Sequence, residues 1–183
     1  MTQVLVPLAE GCEELEAVTI IDLLRRAGVV VVSAGLVSGP VRASRGVMLV
    51  PDQTLDEALA DSYDMVVLPG GAQGAERLAR DHRILPLLRE MIAAGKYVAA
   101  ICAAPKVLAE AGLLAGKMAT SYPGFLKPAA VPGLMYLEQP VVRDGPIITS
   151  RGPGTAMDFS LALIEILLGP EQRHAVEAAL QRS

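Results

Sequence analysis

The chain has 183 residues, a net charge of −4, 52% hydrophobic residues and only 3% aromatic ones. That length makes a single domain, 1–183, whose core must be aliphatic, built from Val, Leu, Ile and Ala. The acidic balance excludes a nucleic-acid partner. No apolar run reaches the ~18 residues of a membrane span, and Met1-Thr2-Gln3-Val4-Leu5-Val6-Pro7 lacks the basic and long apolar stretches of a signal peptide, so a cytoplasmic protein with no membrane partner is expected.

In chain order, Val4–Leu8 reads as a first strand. Glu13–Ala27 follows as a helix, with Gly28 as its stop. Its apolar residues (Leu15, Val18, Ile20, Ile21, Leu23, Leu24) cover more than one stripe, so it is expected to bury two faces, one on the sheet and one on a further surface. Val29–Val32 is a β-branched run suited to a strand covered on both sides. Val41–Pro51 reads as a hairpin around Ser44-Arg45-Gly46. Leu55–Leu59 is a short helix and Met65–Leu68 a buried strand that ends in Pro69-Gly70-Gly71. The stretch from Gly74 to Ala94 is helical, interrupted near His82 and Pro86. Tyr97–Ile101 is a strand, and Ala104–Ala111 a helix. Met118–Gly133, with three prolines, is irregular. Strands near Val141–Arg143 and Ile147–Thr149 precede an apolar helix, Ala156–Leu168, stopped by Gly169-Pro170. Glu171–Gln181 is a final polar helix. The alternation predicts a mostly parallel sheet with helices on both faces, an α/β three-layer sandwich. Sites in such sheets lie beyond the carboxyl ends of the strands, and three ends carry unusual residues: Glu10–Glu16, Gly70-Gly71 and Cys102.

Two cysteines in a reducing compartment argue against a disulfide. Cys12 reads as a buried core residue. Two readings compete for Cys102. One is the same, since cysteine is among the most buried residue types. The other starts from Ala99-Ala100-Ile101-Cys102-Ala103-Ala104-Pro105, where an apolar strand turns into a helix start among small residues. Such a turn aims its side chain outward under backbone strain, and a helix N-terminus is expected to lower a thiol pKa. The N–H groups of Gly71 and Ala103 are then candidate oxyanion donors. His82 and His174 sit in polar helical surroundings and read as surface residues, which leaves a carboxyl group as the partner of the thiol. Glu13, Glu14 and Glu16 follow the first strand. Part of that cluster complements a helix dipole. A protonated Glu16 can hydrogen-bond a thiolate and act as general acid and base. No ligand spacing suggests a metal, and Gly70-Gly71-Ala72-Gln73-Gly74 lacks the end of a phosphate loop, so no cofactor is expected. Arg25, Arg26, Arg45 and Arg151 read as salt-bridge partners in preference to an anion site.

Several stretches together resemble the ThiJ/PfpI superfamily, in the branch of the human Parkinson-disease-associated deglycase and bacterial YajL. They are Leu8 to Glu16, Asp22 to Gly28, Ser44-Arg45, Val66 to Gly71, Ala99 to Pro105 and Thr149 to Thr155. The resemblance implies a flavodoxin-like sandwich and a homodimer. It implies a reactive, readily oxidised Cys102 with Glu16 as its protonated partner, and Gly71 and Ala103 as backbone donors toward a substrate oxygen. The first helix and the Arg45 hairpin are implied to lie at the dimer interface, with Glu13, Arg26 and Arg45 as candidate dimer or anion contacts. Two departures stand out. Relatives that are proteases carry His directly after the cysteine, where this chain has Ala103. The human branch has His in a stretch that reads Thr120-Ser121-Tyr122-Pro123 here. Tyr122, with a reference pKa near ~10, is a hydrogen-bond donor toward substrate and no base. The implied function is glutathione-independent conversion of reactive dicarbonyls, or deglycation of glycated thiols and amines. The alternative is a non-enzymatic oxidative-stress sensor or chaperone that works through oxidation of Cys102.

Overall fold

The computed structural model describes residues 1–182. Strand β1 (Gln3–Leu8) leads into α1 (Glu14–Arg26), and β2 (Val30–Gly35) follows. The hairpin β3 (Val41–Arg42) and β4 (Met48–Leu49) comes next, then β5 (Gln53–Thr54) and α2 (Leu55–Ala58). After them come β6 (Met65–Leu68), α3 (Ala72–Arg80), α4 (Ile84–Ala93), β7 (Tyr97–Ile101) and α5 (Pro105–Glu110). The short pair β8 (Met118–Ala119) and β9 (Met135–Tyr136) precedes β10 (Val141–Asp144), β11 (Ile147–Ser150), α6 (Ala156–Leu168) and α7 (Pro170–Ala179).

Seven strands form one sheet in the order β10-β11-β7-β6-β1-β2-β5. Only the edge strand β10 runs antiparallel to its neighbour. Helices α1, α6 and α7 pack together on one face, and α3, α4 and α5 on the other. This is the expected flavodoxin-like sandwich. Its central strands are apolar on both faces because both are covered: Val4, Leu5, Val6, Met65, Val66, Val67 and Leu68 have no exposed surface. From β1 the chain steps outward to β2 and β5, then returns to β6 on the other side of β1. The order of strands reverses there, and a cavity lies beyond the carboxyl ends of β1, β6 and β7, lined by residues that follow each of them.

Two local expectations need correction. Pro86 does not interrupt a helix. The break falls at Asp81–Arg83, where Asp81 carboxylate oxygens accept from the Arg83 N–H at 3.0 Å and from its guanidinium. Pro86 sits inside the first turn of α4, where an N–H has no helical partner to lose. Pro170 likewise starts α7, and Gly169, at φ +91°, is the residue that ends α6. The strand β5 was not expected: it holds its place at the sheet edge through two residues paired with Ala34 and Gly35. Among the described residues no helix is long and apolar enough to cross a membrane.

Candidate functional site

Cys102 closes β7 in a left-handed conformation, φ +63°, one of two non-glycine residues with positive φ among those described. Such a conformation costs an L-residue about 1–2 kcal/mol. The backbone is clamped on both sides: Cys102 N–H donates to Ser150 O at 3.0 Å, and Cys102 O accepts from Tyr122 N–H at 2.8 Å. Ile101, Ala103 and Ala104 are fully buried around it, so the small residues serve a tight turn, as the sequence suggested. The side chain is 9% exposed, at the floor of a cavity of about 560 Å³.

Glu16 reaches the same point from the opposite side. It projects from the first turns of α1 and has no exposed surface. Its Oε2 accepts from Gly70 N–H at 2.8 Å, and its Oε1 has no conventional hydrogen-bond partner among the described residues. The Cys102 thiol and this carboxyl lie on either side of Gly70, near enough for each to shift the other's titration. Gly70 makes the approach possible. A Cβ there would stand 2.5 Å from Cys102 Cβ and 2.6 Å from Glu16 Oε2, closer than any side chain tolerates.

Burial pushes the Glu16 carboxyl up to about 7, against the pull of Gly70 N–H and the Cys102 thiol. Burial, and then the charge of Glu16, push the Cys102 thiol up to about 12. The N–H groups of Gly71 and Ala103 pull it the other way. The expectation of a thiol lowered by its helix end is therefore overturned: six residues of α5 offer less than burial and Glu16 take away. The two groups titrate as a pair. Above about pH 7 they share one proton, which sits on sulfur or on Glu16, and with the proton on Glu16 the repulsion that raises the thiol is gone.

Of the other residues singled out in the sequence, Glu13, Arg45 and Tyr122 line the cavity with Gly71 and Ala103. Glu13 Oε2 accepts from Ser44 Oγ at 2.7 Å. Glu14, buried beside it, accepts from Ser44 Oγ and from Arg45 N–H at 2.9 and 2.8 Å. Burial opposes the Glu14 charge, but those bonds outweigh it and hold the carboxyl below its ordinary value. In this way α1 anchors the hairpin over the site. Tyr122 is half exposed and edge-on to Phe125, with centroids 6.2 Å apart. Arg26 lies away from the cavity, paired with Asp22 at 2.6 Å. Arg25 also makes its expected salt bridge, to Asp52. Arg45 and Arg151 make none among the described residues, against expectation. The sequence reading passed over Arg42, Gln73 and Arg77, which also line the cavity. Only the (i, i+4) spacing of Gln73 and Arg77 on α3 hinted that they share a face. Cys12 is fully buried and packs against Gly74, in accord with a core cysteine. No three His, Cys, Asp or Glu side chains among the described residues form a metal set.

The DJ-1/PfpI family model matches residues 2–166. The chain belongs to the DJ-1/PfpI family. Within the DJ-1/PfpI proteins, it is 46% identical over 178 residues to protein dj-1beta of Drosophila melanogaster, across 96% of this chain and 95% of that one. The crystal structure of Drosophila DJ-1beta superposes with a TM-score of 0.94 over 100% of this chain and 98% of that one, at 44% identity. Glutathione-independent glyoxalase DJR-1.2 of Caenorhabditis elegans is 36% identical, over 91% of this chain and 89% of its own length. DJ-1 homolog B of Arabidopsis thaliana is 46% identical over 172 residues, and this chain spans 39% of that longer protein.

Proposed function

We propose that this protein is a glyoxalase that needs no glutathione, converting α-oxoaldehydes such as methylglyoxal to 2-hydroxy acids at Cys102. One observation carries the reading: the sulfur of Cys102 lies at a cavity floor against a fully buried carboxyl that burial holds near neutrality. The name of the Caenorhabditis elegans relative supports the same chemistry.

The thiolate, paired with protonated Glu16, attacks the aldehyde carbon. As the carbon–sulfur bond forms, negative charge moves from sulfur to the adjoining oxygen, and the N–H groups of Gly71 and Ala103 stabilise it there. Glu16 delivers its proton to this oxygen. Now a carboxylate, it removes the hydrogen of the former aldehyde carbon, which leaves an enediolate charged on the neighbouring oxygen. It returns that proton to the neighbouring carbon as the hydroxyl proton of the former aldehyde carbon passes to the charged oxygen. Water then breaks the thioester and frees the hydroxy acid. A carboxyl poised near pH 7 serves both directions of transfer. Removal of free dicarbonyl also draws glycation of thiols and amines backward, which gives the deglycase activity as a consequence. The test is lactate formed from methylglyoxal over many turnovers. Wild type turns over, and Cys102→Ser and Glu16→Gln each lose at least about a hundredfold. Peroxide oxidation of Cys102 with no turnover in wild type favours the sensor reading instead, in which the same donors hold a sulfinate.

The working form is a homodimer. On α1, Leu15 and Val18 are each 49% exposed, and Val47, Met48 and Val50 around the hairpin anchored to Glu14 are exposed as well. Exposed apolar side chains of this kind suit an interface. Sedimentation gives twice the monomer mass for wild type and a monomer for Val18→Asp. A wild-type monomer at micromolar concentration contradicts the proposal.

A further inference from the structure

The cavity, about 560 Å³, exceeds what the five heavy atoms of methylglyoxal fill and matches the size of sites for larger ligands. Its rim carries three exposed guanidinium side chains, Arg42, Arg45 and Arg77. Elsewhere Arg25, Arg26, Arg80, Arg83, Arg173 and Arg182 each hold a carboxylate, while Arg89, Arg143 and Arg151 hold none among the described residues. Arg42, Arg45 and Arg77 hold none among the described residues.

Gly11 touches the backbone of Arg42 and the side chain of Arg77. Its N–H donates to Arg42 O at 2.8 Å. On its other side a Cβ would stand 3.2 Å from Arg77 Nη1. That Nη1 donates to Glu10 O at 2.8 Å, which fixes the guanidinium and leaves Nε and Nη2 uncommitted among the described residues. Gly11 also packs against Gly71, whose N–H favours the Cys102 thiolate. Two carboxylates, Glu10 and Glu13, share the rim with the three guanidinium groups, and the Cys102–Glu16 pair adds one negative charge above about pH 7. A guanidinium fork suits a carboxylate.

We propose that the preferred substrate is an α-oxoaldehyde bearing a carboxylate, which Arg42 and Arg77 hold while its aldehyde carbon meets Cys102. This rests on the glyoxalase reading above. The probe is 4,5-dioxopentanoate. Sulfur bonds to C5, hydrogen leaves C5 and a proton arrives at C4, and water breaks the carbon–sulfur bond to give 2-hydroxyglutarate. C5 is oxidised and C4 reduced within one molecule, one water is consumed, and the thiol is regenerated. Initial rates with this acid and with methylglyoxal give a ratio of kcat/KM values. The expected wild-type ratio is about ten or more, arising in KM, and Arg42→Gln/Arg77→Gln lowers it about tenfold. A wild-type ratio near one, or a ratio that the double change leaves unaltered, overturns the proposal. Calorimetric titration of Cys102→Ser protein with 2-hydroxyglutarate decides the matter without turnover: binding that the two arginine changes weaken about tenfold supports it, and absent binding overturns it. If neither substrate is converted while 2-hydroxyglutarate still binds through these arginines, the catalytic reading fails and the carboxylate site stands.

Discussion

Cys102 and Cys12 are the same residue in two settings. Burial pushes both thiols up to about 12. Cys12 has no exposed surface, packs its backbone against Gly74, and feels Glu14 only as a charge that disfavours its thiolate. Cys102 sits at a left-handed turn over a cavity, with two N–H groups that favour its thiolate and a carboxyl that changes protonation near neutrality. On the proposed reading, low accessibility does not separate an inert thiol from a reactive one. What separates them is a partner able to take the proton at little cost.

The sharpest way to break this contrast is exchange of each cysteine for serine. Cys12→Ser retains lactate formation within about threefold, whereas Cys102→Ser loses at least about a hundredfold. Glycine replacements come next. Gly70→Ala forces a methyl between Cys102 and Glu16 and Gly74→Ala forces one onto the Cys12 backbone, where the nearest atoms would stand 2.7 Å away. Each costs about 1–3 kcal/mol in urea unfolding, and only the first is expected to lower the alkylation rate of Cys102 about tenfold or more through the contact it breaks.

The third effect is on pH. The folded pKa of Glu16 is raised, from 4.5 to about 7, so its contribution to stability is full below about 4.5 and is lost as pH rises to 7. Wild type therefore loses up to about 3 kcal/mol relative to Glu16→Gln between pH 4.5 and 7.5, read from unfolding midpoints at both pH values. Cys12, raised from 9.0 to about 12, adds no slope in that window. The smallest effect is at Tyr122. Its backbone N–H clamps Cys102, and Tyr122→Phe leaves that bond intact, so kcat/KM for methylglyoxal changes by less than about threefold.

The frame of this molecule is legible in its sequence because local patterns and burial agree. Met65–Leu68 and Tyr97–Ile101 are continuous apolar runs and Ala156–Leu168 is a mainly apolar one, each with clear stops, and they fold with those bounds. The edge strand β5 carries no such pattern, since two residues take their conformation from β2. At the site, Cys102 is legible from its small neighbours and Glu16 from the need for a proton partner. The direction of the thiol pKa is not, because burial is a property of the packed sheet. Nor are Arg42 and Arg77, which lie far apart in the chain and line one cavity only once the sheet has folded.

The central claim is that Cys102 and Glu16 share one proton at neutral pH. The rate of Cys102 alkylation by iodoacetamide, followed by mass spectrometry from pH 5 to 11, tests it most directly. The account predicts a rise with its midpoint near 7, a plateau above it that gives way to a second rise toward pH 11, and loss of the midpoint near 7 in Glu16→Gln. A wild-type rate that stays flat through 7 and climbs only above pH 9 would contradict it.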